Sequence, residues 1–257
     1  MRSDDIGHAH RLVGDASRIA VLTGAGISTD SGIPDFRGPN GLWTRNPAAE
    51  RASRLADYLA EPEVRRAAWR NRLDSPAWAA RPNPGHAAVV ELERQGRLLA
   101  VLTQNIDELH QRAGSRPELV VELHGTMHAA VCWTCGERTP MSAVLERVTA
   151  GDDDPACLRC AGILKSATVS FGQALDPAVM ARAEEAALGC DLLLAVGSTL
   201  TVHPAAGLVP LAKGHGAAVV IVNAQPTAYD ALADAVVAGS ISEVLPELVA
   251  PVEGKPR

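Results

Sequence analysis

Two polar segments follow the first apolar run of the chain, Ile19 to Leu22. The first is Gly24-Ala25-Gly26-Ile27, whose glycines at a strand end let backbone N–H groups approach a pyrophosphate. The second is Asp35-Phe36-Arg37, a tight polar turn behind a proline. Together they predict a site in which the side chains of the second segment lie over a nucleotide bound by the first and take part in a reaction there.

An ordinary dinucleotide-binding dehydrogenase is a weak interpretation of this loop. The fingerprint of that class has a third glycine and an acidic residue about 20 positions further on, at the end of a second strand. Here Thr29 occupies the third glycine position, and residues 44–57 show no strand pattern. The loop therefore indicates nucleotide binding by a protein that is not an ordinary dehydrogenase.

Four cysteines form two C-x-x-C pairs separated by 21 residues: Cys132, Cys135, Cys157 and Cys160. This spacing lies near that of zinc ribbons, in which four thiolates hold the metal tetrahedrally. Two disulfides, or one redox pair, are the alternatives, and a reducing compartment disfavours the disulfides. We expect one structural zinc ion, because four thiolates leave no open position for catalysis. Cys190 is expected to be an ordinary buried thiol.

Polar segments also follow several later apolar runs. Because ligands of parallel sheets bind at the carboxyl ends of the strands, we expect these segments to form one continuous site. They are Gln104-Asn105-Ile106-Asp107, His124, Gly197-Ser198-Thr199 and Asn223-Ala224-Gln225.

The elements that must position these residues alternate between strands and helices. Apolar runs predict strands at 19–23, 98–103, 118–123, 191–196, 218–223 and 235–238. Helical patterns cover 4–16, 84–95, 105–113, 176–188, 204–213 and 241–249. This alternation predicts an α/β fold with a doubly wound parallel sheet. Residues 45–82 and 127–165 break the rhythm and are expected to be insertions that form a smaller lobe.

Composition sets broad limits on the function. The 257 residues carry a formal net charge of −6, which does not suit binding to a phosphate backbone, so direct nucleic-acid binding is not expected. No apolar run reaches the length of a membrane span, and no secretory signal is visible. We therefore expect a soluble protein of the cytoplasm that does not act at a membrane. The sequence leaves the oligomeric state open.

Taken in order, the motifs of this chain resemble those of the sirtuins, the NAD-dependent protein deacylases. The shared segments run from Ala20 to about Leu248 and read TGAGISTDSGIPDFRGPNGLW, TQNIDELH, ELHGT, the two C-x-x-C pairs, VSFG, GSTLTVHP and VNAQP. The resemblance implies a Rossmann-like NAD-binding domain at 1–44, 83–126 and 166–257. It also implies a small domain made of a helical insertion at 45–82 and a zinc-binding module at 127–165.

The resemblance also assigns roles to the polar segments. Residues 24–27 would line the pyrophosphate site, and residues 35–37 would close over the nicotinamide side. Asn105, Asp107 and Gln104 would hold the nicotinamide and its ribose, although Asp107 could instead cap a helix, or do both. His124 would be the general base. Residues 197–199 would face the adenosine ribose, and residues 223–225, with the backbone near Ile241, would surround the adenine.

For the acyl-lysine substrate, the resemblance points to the VSFG segment and to one helix of the small domain. The peptide would add as a strand beside Val169, Phe171 and Gly172. Val169 and Phe171 are candidates for the apolar acyl-lysine channel, with core packing as an equal alternative for both. Desuccinylating sirtuins carry a Tyr and an Arg three residues apart, and an approximate alignment places Trp69 and Arg72 there. Arg72 could pair with an acyl carboxylate or be a solvated helix residue.

Three departures from the family pattern lie on either side of the VSFG segment and in the adenosine loop. Ser166 and Gln173 stand where a proline and a glutamate are usual, and Ser198-Thr199 stands for Thr-Ser. The resemblance implies an NAD-dependent protein-lysine deacetylase that transfers the acyl group to ADP-ribose and releases nicotinamide. Alternatives are removal of succinyl or other acyl groups, mono-ADP-ribosyl transfer to protein, and a non-catalytic NAD sensor, which the intact Asn105, Asp107 and His124 disfavour.

Overall fold

The computed structural model of this chain describes residues 3–35, 41 and 47–251. Two compact units divide the described chain. The larger unit comprises the described residues up to Ile33, Ala80–Leu123 and those from Asp176 onward. The smaller unit comprises the described part of Pro34–Ala79 together with His124–Leu175.

A six-stranded sheet forms the centre of the larger unit, and all of its strand pairs are parallel. Its strands are β1 (Ile19–Thr23), β2 (Leu98–Thr103), β3 (Val120–Glu122), β7 (Leu192–Val196), β8 (Ala218–Val222) and β9 (Ala235–Val237). They lie in the order β3-β2-β1-β7-β8-β9. Counted within this sheet, the order is 3-2-1-4-5-6, that of the doubly wound dinucleotide-binding fold. The predicted fold class is confirmed.

These segments form central strands because they are apolar on both sides. Every residue of β1 and of β7 is buried, as parallel strands covered by helices require. The helices of this unit are α1 (Ser3–Asp15), α5 (Pro84–Arg94), α6 (Leu109–Ala113), α8 (Pro177–Gly189), α9 (Leu208–Gly214) and α10 (Ile241–Val249). One core cluster joins β1, β7 and β8 to side chains of α1, α5 and α10, among them Val13, Val89 and Leu245.

The smaller unit is built from short helices and a three-stranded antiparallel sheet. Its helices are α2 (Pro47–Ala52), α3 (Leu55–Ala60), α4 (Pro62–Leu73) and α7 (Met141–Thr149). Its strands are β4 (Gly125–Cys132), β5 (Arg138–Pro140) and β6 (Leu164–Thr168), in the order β5-β4-β6. A separate core packs Trp69 of α4 against Met141, Leu164 and the cysteines Cys132 and Cys157.

Most predicted elements agree with the structure, and three need correction. The predicted helix 204–213 begins only at Leu208, since Ala205–Gly207 form a 3₁₀ turn before it. The predicted helix 105–113 begins only at Leu109, because Glu108 adopts a left-handed backbone with φ 57°. The predicted strand 118–123 is shorter, because Pro117–Leu119 form a 3₁₀ turn before β3. Among the residues that the structure describes, no helix has the length and apolar character needed to cross a membrane.

Candidate functional site

The loops after β1 and β7 meet at the point where the strand order of the large sheet reverses. The Gly24 N–H donates to the Val196 carbonyl at 3.0 Å, and the Gly26 N–H donates to the Gly197 carbonyl at 2.8 Å. In open parallel sheets this switch point is where ligands bind. The predicted nucleotide loop and the predicted adenosine loop therefore lie side by side.

Glycines are required here because the two backbones touch. A Cβ on Gly26 would lie 2.7 Å from the Gly197 Cα, and a Cβ on Gly197 would lie 2.5 Å from the Ile27 nitrogen. Gly197 also has φ +66°, which favours glycine. The glycines thus let the two loops pack together. This is a second reason for them, besides the predicted approach of backbone N–H groups to a pyrophosphate.

A buried hydrogen-bond network connects Asn105 and Asp107 to the first loop. The Ser28 hydroxyl donates to the Asp107 carboxylate at 2.7 Å. The Asn105 amide donates to the Gly24 carbonyl at 3.1 Å and to Ser28 Oγ at 3.2 Å. The other oxygen of Asp107 accepts from the Leu109 N–H at 3.0 Å, so this residue also caps α6. The network fixes the orientation of both side chains.

The remaining predicted NAD residues lie at the ends of β2, β7 and β8. Gln104 Nε2 donates to Ser198 Oγ at 3.1 Å, which joins the β2 end to the β7 end. Thr199 Oγ1 lies 3.1 Å from Thr201 Oγ1. After β8, the Asn223 amide donates to the Gln225 carbonyl at 2.7 Å and holds that turn. The last predicted residue, Ile241, is buried at the start of α10.

Two histidines lie buried in the same unit, His86 on α5 and His110 on α6. Their rings make an edge contact with centroids 5.0 Å apart, and His110 Nε2 lies 3.0 Å from Thr23 Oγ1. Burial lowers the pKa of His86 to about 4, opposed by the Asp107 charge. Burial, reinforced by His86, lowers the pKa of His110 to about 3. Both rings are therefore neutral at physiological pH, in agreement with a structural role.

His124 is half-buried and opens the second segment of the smaller unit. Its carbonyl accepts from the Val169 N–H at 2.9 Å. The following residue must be glycine, because Gly125 has φ +72° and its Cβ would lie 2.1 Å from the Ala167 carbonyl oxygen. The ELHGT motif thus joins the backbone of His124 to the segment predicted to bind substrate.

The VSFG segment pairs with the chain before α3. The Phe171 N–H donates to the Ser53 carbonyl at 2.8 Å, and its own carbonyl accepts from the Leu55 N–H at 2.9 Å. The Phe171 side chain is 42% exposed, so the core-packing alternative is wrong for this residue. Val169 is half-buried, and Gly172 is exposed with φ +84°.

The four cysteines predicted to bind zinc form one cluster. Their sulfur atoms all lie within 4.8 Å of one another. Cys132 Sγ lies 3.5 Å from Cys160 Sγ, and Cys135 Sγ lies 3.8 Å from Cys157 Sγ. A zinc–sulfur bond of about 2.3 Å gives a tetrahedron with edges of about 3.8 Å, so the cluster fits one zinc ion. All four are free thiols, as is buried Cys190.

Trp69 and Arg72 occupy adjacent turns of α4, where Trp69 is fully buried and Arg72 is half-buried. The Arg72 guanidinium lies 5.1 Å from the Trp69 ring centroid and 5.9 Å from that of Tyr58. Trp69 Nε1 and Arg72 Nη1 are both buried and have no hydrogen-bond partner in the described chain. Arg72 is half-buried as a residue, its Nη1 is shielded from solvent, and burial lowers its pKa, which disfavours the alternative of a fully solvated helix residue.

Lys165 is a second buried cation in this unit, with 2% of its surface exposed. Its ammonium donates to the carbonyls of Ser166 and Thr168, at 3.0 and 2.6 Å, and to Gln173 Oε1 at 3.3 Å. Burial, reinforced by the Arg72 charge, lowers the pKa of Lys165 to about 8.

Sequence reasoning missed three residues of these sites: Ser28, Tyr58 and Lys165. Ser28 follows the glycine loop within GAGIS, a position that could have been noticed. Tyr58 donates from its hydroxyl to the Leu164 carbonyl at 2.8 Å, and burial raises its pKa to about 12. Asp35 is half-buried in the smaller unit, whereas the other two residues of the predicted turn, Phe36 and Arg37, lie outside the described residues.

Comparison with known proteins agrees with this geometry. The sequence model of the Sir2 family matches residues 24–204. The NAD-dependent protein deacetylase 2 of Streptomyces coelicolor is 53% identical over 231 residues, which is 90% of this chain and 96% of the relative. The chain belongs to the Sir2 family.

Solved structures show the same likeness. A Sir2 enzyme with 41% sequence identity superposes with a TM-score of 0.87, covering 96% of this chain and 97% of the other. A second Sir2 structure has 32% identity and a TM-score of 0.87, with 95% and 97% of the two chains covered. That structure holds a deacetylated p53 peptide and 3′-O-acetyl-ADP-ribose.

Proposed function

We propose that this chain is an NAD-dependent protein-lysine deacetylase that transfers the acyl group of acyl-lysine to ADP-ribose and releases nicotinamide. The observation that carries the proposal is the buried Asn105–Ser28–Asp107 network at the switch point of a Sir2-family sheet. NAD, when bound, supplies the ribosyl group that accepts the acyl chain. The name of the Streptomyces relative, an NAD-dependent protein deacetylase, and the product complex of the second Sir2 structure support the same reaction.

The residues of the larger unit would bind and orient NAD. Residues 24–27 would contact the pyrophosphate, and Asp35, Phe36 and Arg37 would cover the nicotinamide. Asn105, Asp107 and Gln104 would hold the nicotinamide ribose and its carboxamide. Ser28 supports this role, because its bonds to both Asn105 and Asp107 keep these side chains from rotating. Residues 197–199, 223–225 and the backbone at Ile241 would surround the adenosine.

His124 would take a proton from a ribose hydroxyl during acyl transfer. A neutral imidazole suits this step, because one of its ring nitrogens can accept a proton. The acyl-lysine peptide would add as a strand beside residues 169–172. The exposed ring of Phe171 supports an apolar contact with the acyl-lysine side chain.

We propose the domain division 1–44, 83–126 and 166–257 for NAD binding and 45–82 with 127–165 for the small domain. The two compact units support it in outline, with borders after Ile33, Ala79, Leu123 and Leu175. One zinc ion, held by the four cysteines, would be structural. Four free thiols suited to a metal also support a reducing compartment, the cytoplasm.

Trp69 and Arg72 favour a second candidate activity, removal of acyl groups that end in a carboxylate. Each offers a buried donor without a partner among the described residues. Leaving such groups unpaired is costly, and a guanidinium pairs strongly with a carboxylate. A succinyl group in acyl-lysine would supply that partner.

The test is incubation of the purified protein with NAD and one of three matched peptides, bearing acetyl-, succinyl- or unmodified lysine. We expect nicotinamide release only with the acylated peptides, together with loss of the acyl mass. Faster turnover of the succinyl peptide would favour the second candidate. A peptide that gains the mass of ADP-ribose, or no acyl-dependent nicotinamide release, would refute the deacylase proposal.

A further inference from the structure

Two cations of the smaller unit, the half-buried Arg72 and the buried Lys165, have no anionic partner among the residues that the structure describes. No salt bridge joins Arg72 or Lys165 to a carboxylate within the described parts of the chain. The nearby acid Asp154 is already paired with Arg65, at 2.8 Å. Burial disfavours the charged form of both side chains and lowers the pKa of each. The Arg72 charge lowers the pKa of Lys165 further.

Lys165 has its hydrogen bonds but lacks a counter-charge. All three of its acceptors are neutral: two backbone carbonyls and the side-chain oxygen of Gln173. Three bonds satisfy the three donors of an ammonium. The positive charge nevertheless remains uncompensated, and in a buried setting its field reaches further than it would in water.

Gln173 is the residue that leaves this charge uncompensated. Its Oε1 accepts from Lys165 Nζ at 3.3 Å and from the Ser170 N–H at 3.2 Å. Both neighbours are donors, and a carboxylate of the same shape would satisfy both while neutralising Lys165. The chain instead carries an amide, next to the segment proposed to bind the acyl-lysine peptide.

We propose that Lys165 and Gln173 determine acyl-group specificity: the charge of Lys165, left unpaired by the neutral Gln173, selects acyl-lysine whose acyl chain ends in a carboxylate. Arg72 would contact the carboxylate, and the buried charge of Lys165 on β6 would act through its electric field. This inference rests on the proposed deacylase function and extends it by adding two residues that determine the substrate class.

The test is the variant Gln173→Glu, which replaces the side-chain amide by a carboxylate. The new side chain can still accept from Lys165 Nζ and from the Ser170 N–H. Binding of matched acetyl- and succinyl-lysine peptides is measured by calorimetric titration without NAD, and kcat/KM for both is measured with NAD. We expect the succinyl-to-acetyl ratio to fall about tenfold in both measurements, because one added negative charge opposes the acyl carboxylate in a poorly screened site. Gln95→Glu adds the same charge in the larger unit and should leave the ratio unchanged.

A ratio that stays the same or rises in Gln173→Glu would overturn the inference. Lys165→Met provides a second variant and should lower the same ratio in the binding measurement, with folding checked by circular dichroism. If the wild-type protein binds the succinyl peptide preferentially but turns over neither peptide, the deacylase proposal fails while the specificity inference holds. If it turns over both peptides with no charge-dependent preference, the inference alone fails.

Discussion

At the scale of single residues, the proposed function depends on side chains whose rotation is restricted by neighbours. Asn105 and Asp107 share Ser28 as a hydrogen-bond partner, and Asp107 also caps α6. A polar group that is held in place before the ligand arrives loses less entropy on binding. The same reasoning applies to His124, since its backbone carbonyl is fixed by the Val169 N–H and its neighbour Gly125 leaves no room for a Cβ.

Replacement of His124 by Ala tests the proposed base. We expect kcat for deacylation to fall by a factor on the order of 10²–10⁴, the usual contribution of general acid–base catalysis. NAD binding and the free energy of unfolding should change little, because the proposed NAD contacts come from other residues. Titration calorimetry, chemical denaturation and a peptide-mass assay measure the three quantities.

His215→Ala is the matched control for that variant. His215 is exposed, and its ring nitrogen contacts only the Leu211 carbonyl, at 3.0 Å. Turnover should be unchanged in the control. A His124→Ala enzyme that deacylates at the wild-type rate would exclude this imidazole as the base.

Several of these residues could be found from the sequence, and others could not. The cysteines, His124 and the QNID segment stand out because their types and spacing are unusual. Lys165 and Tyr58 do not, because nothing in a single strand or helix shows that a lysine or a tyrosine will be buried. The interaction of Lys165 with Arg72 joins residues 93 positions apart in the chain, so only the tertiary structure reveals it.

At the scale of elements, buried strands were the most predictable part of the fold. Runs such as LLLAV are apolar on both faces, and a parallel strand covered by helices requires this. Boundaries next to the site were less predictable. Helix α6 starts late because Asp107 accepts the Leu109 N–H and Glu108 turns left-handed. This local capping releases residues 104–107 from the helix, where they serve the proposed site.

The packing of α5 against α6 buries His86 and His110 and makes the stability of the larger unit depend on pH. Both rings are uncharged in the folded protein down to about pH 4, because their pKa values are about 4 and 3. In the unfolded chain they take up protons below about pH 6.5. The unfolded state therefore binds more protons between pH 6.5 and 4, and the free energy of unfolding falls as the pH drops through this window.

His110→Gln should reduce this pH dependence. The variant removes one titrating group and keeps an N–H that can reach Thr23. Between pH 6 and 4.5, we expect the decline in unfolding free energy to become shallower by about 1.4 kcal/mol per pH unit, the value for one proton. Urea denaturation at several pH values measures it. The exposed His215→Gln is the control, and equal slopes for wild type and His110→Gln would show that His110 is not buried as a neutral ring.

At the scale of the whole molecule, the two units have separate cores and different sources of stability. The larger unit has a continuous apolar core around six strands. The core of the smaller unit includes Cys132 and Cys157 beside Trp69, so the proposed zinc ion would complete it. The antiparallel sheet and α7 were not predicted from the sequence, because its strands flank the cysteine pairs or, as the three residues of β5, lie between them, and carry no regular apolar alternation.

Zinc removal should therefore destabilise the protein. We expect one zinc ion per chain by atomic emission, and a lower Tm after treatment with a strong chelator, because structural zinc contributes directly to folding. Cys157→Ser should lose the metal and show the same lower Tm. Cys190→Ser is the matched control, since Cys190 is a buried thiol of the larger unit, and it should keep its zinc. A protein without zinc that melts at the same temperature with and without chelator would contradict the assignment.

The central claim is that the acyl group passes from lysine to ADP-ribose, and isotopic labelling tests this claim most directly. A peptide whose lysine carries a ¹³C-acetyl group is incubated with NAD and the protein, and early products are weighed by mass spectrometry. We expect nicotinamide, deacetylated peptide and ¹³C-labelled O-acetyl-ADP-ribose in equal amounts. Label released as free acetate without nicotinamide, or an ADP-ribosylated peptide that keeps its acetyl group, would contradict it.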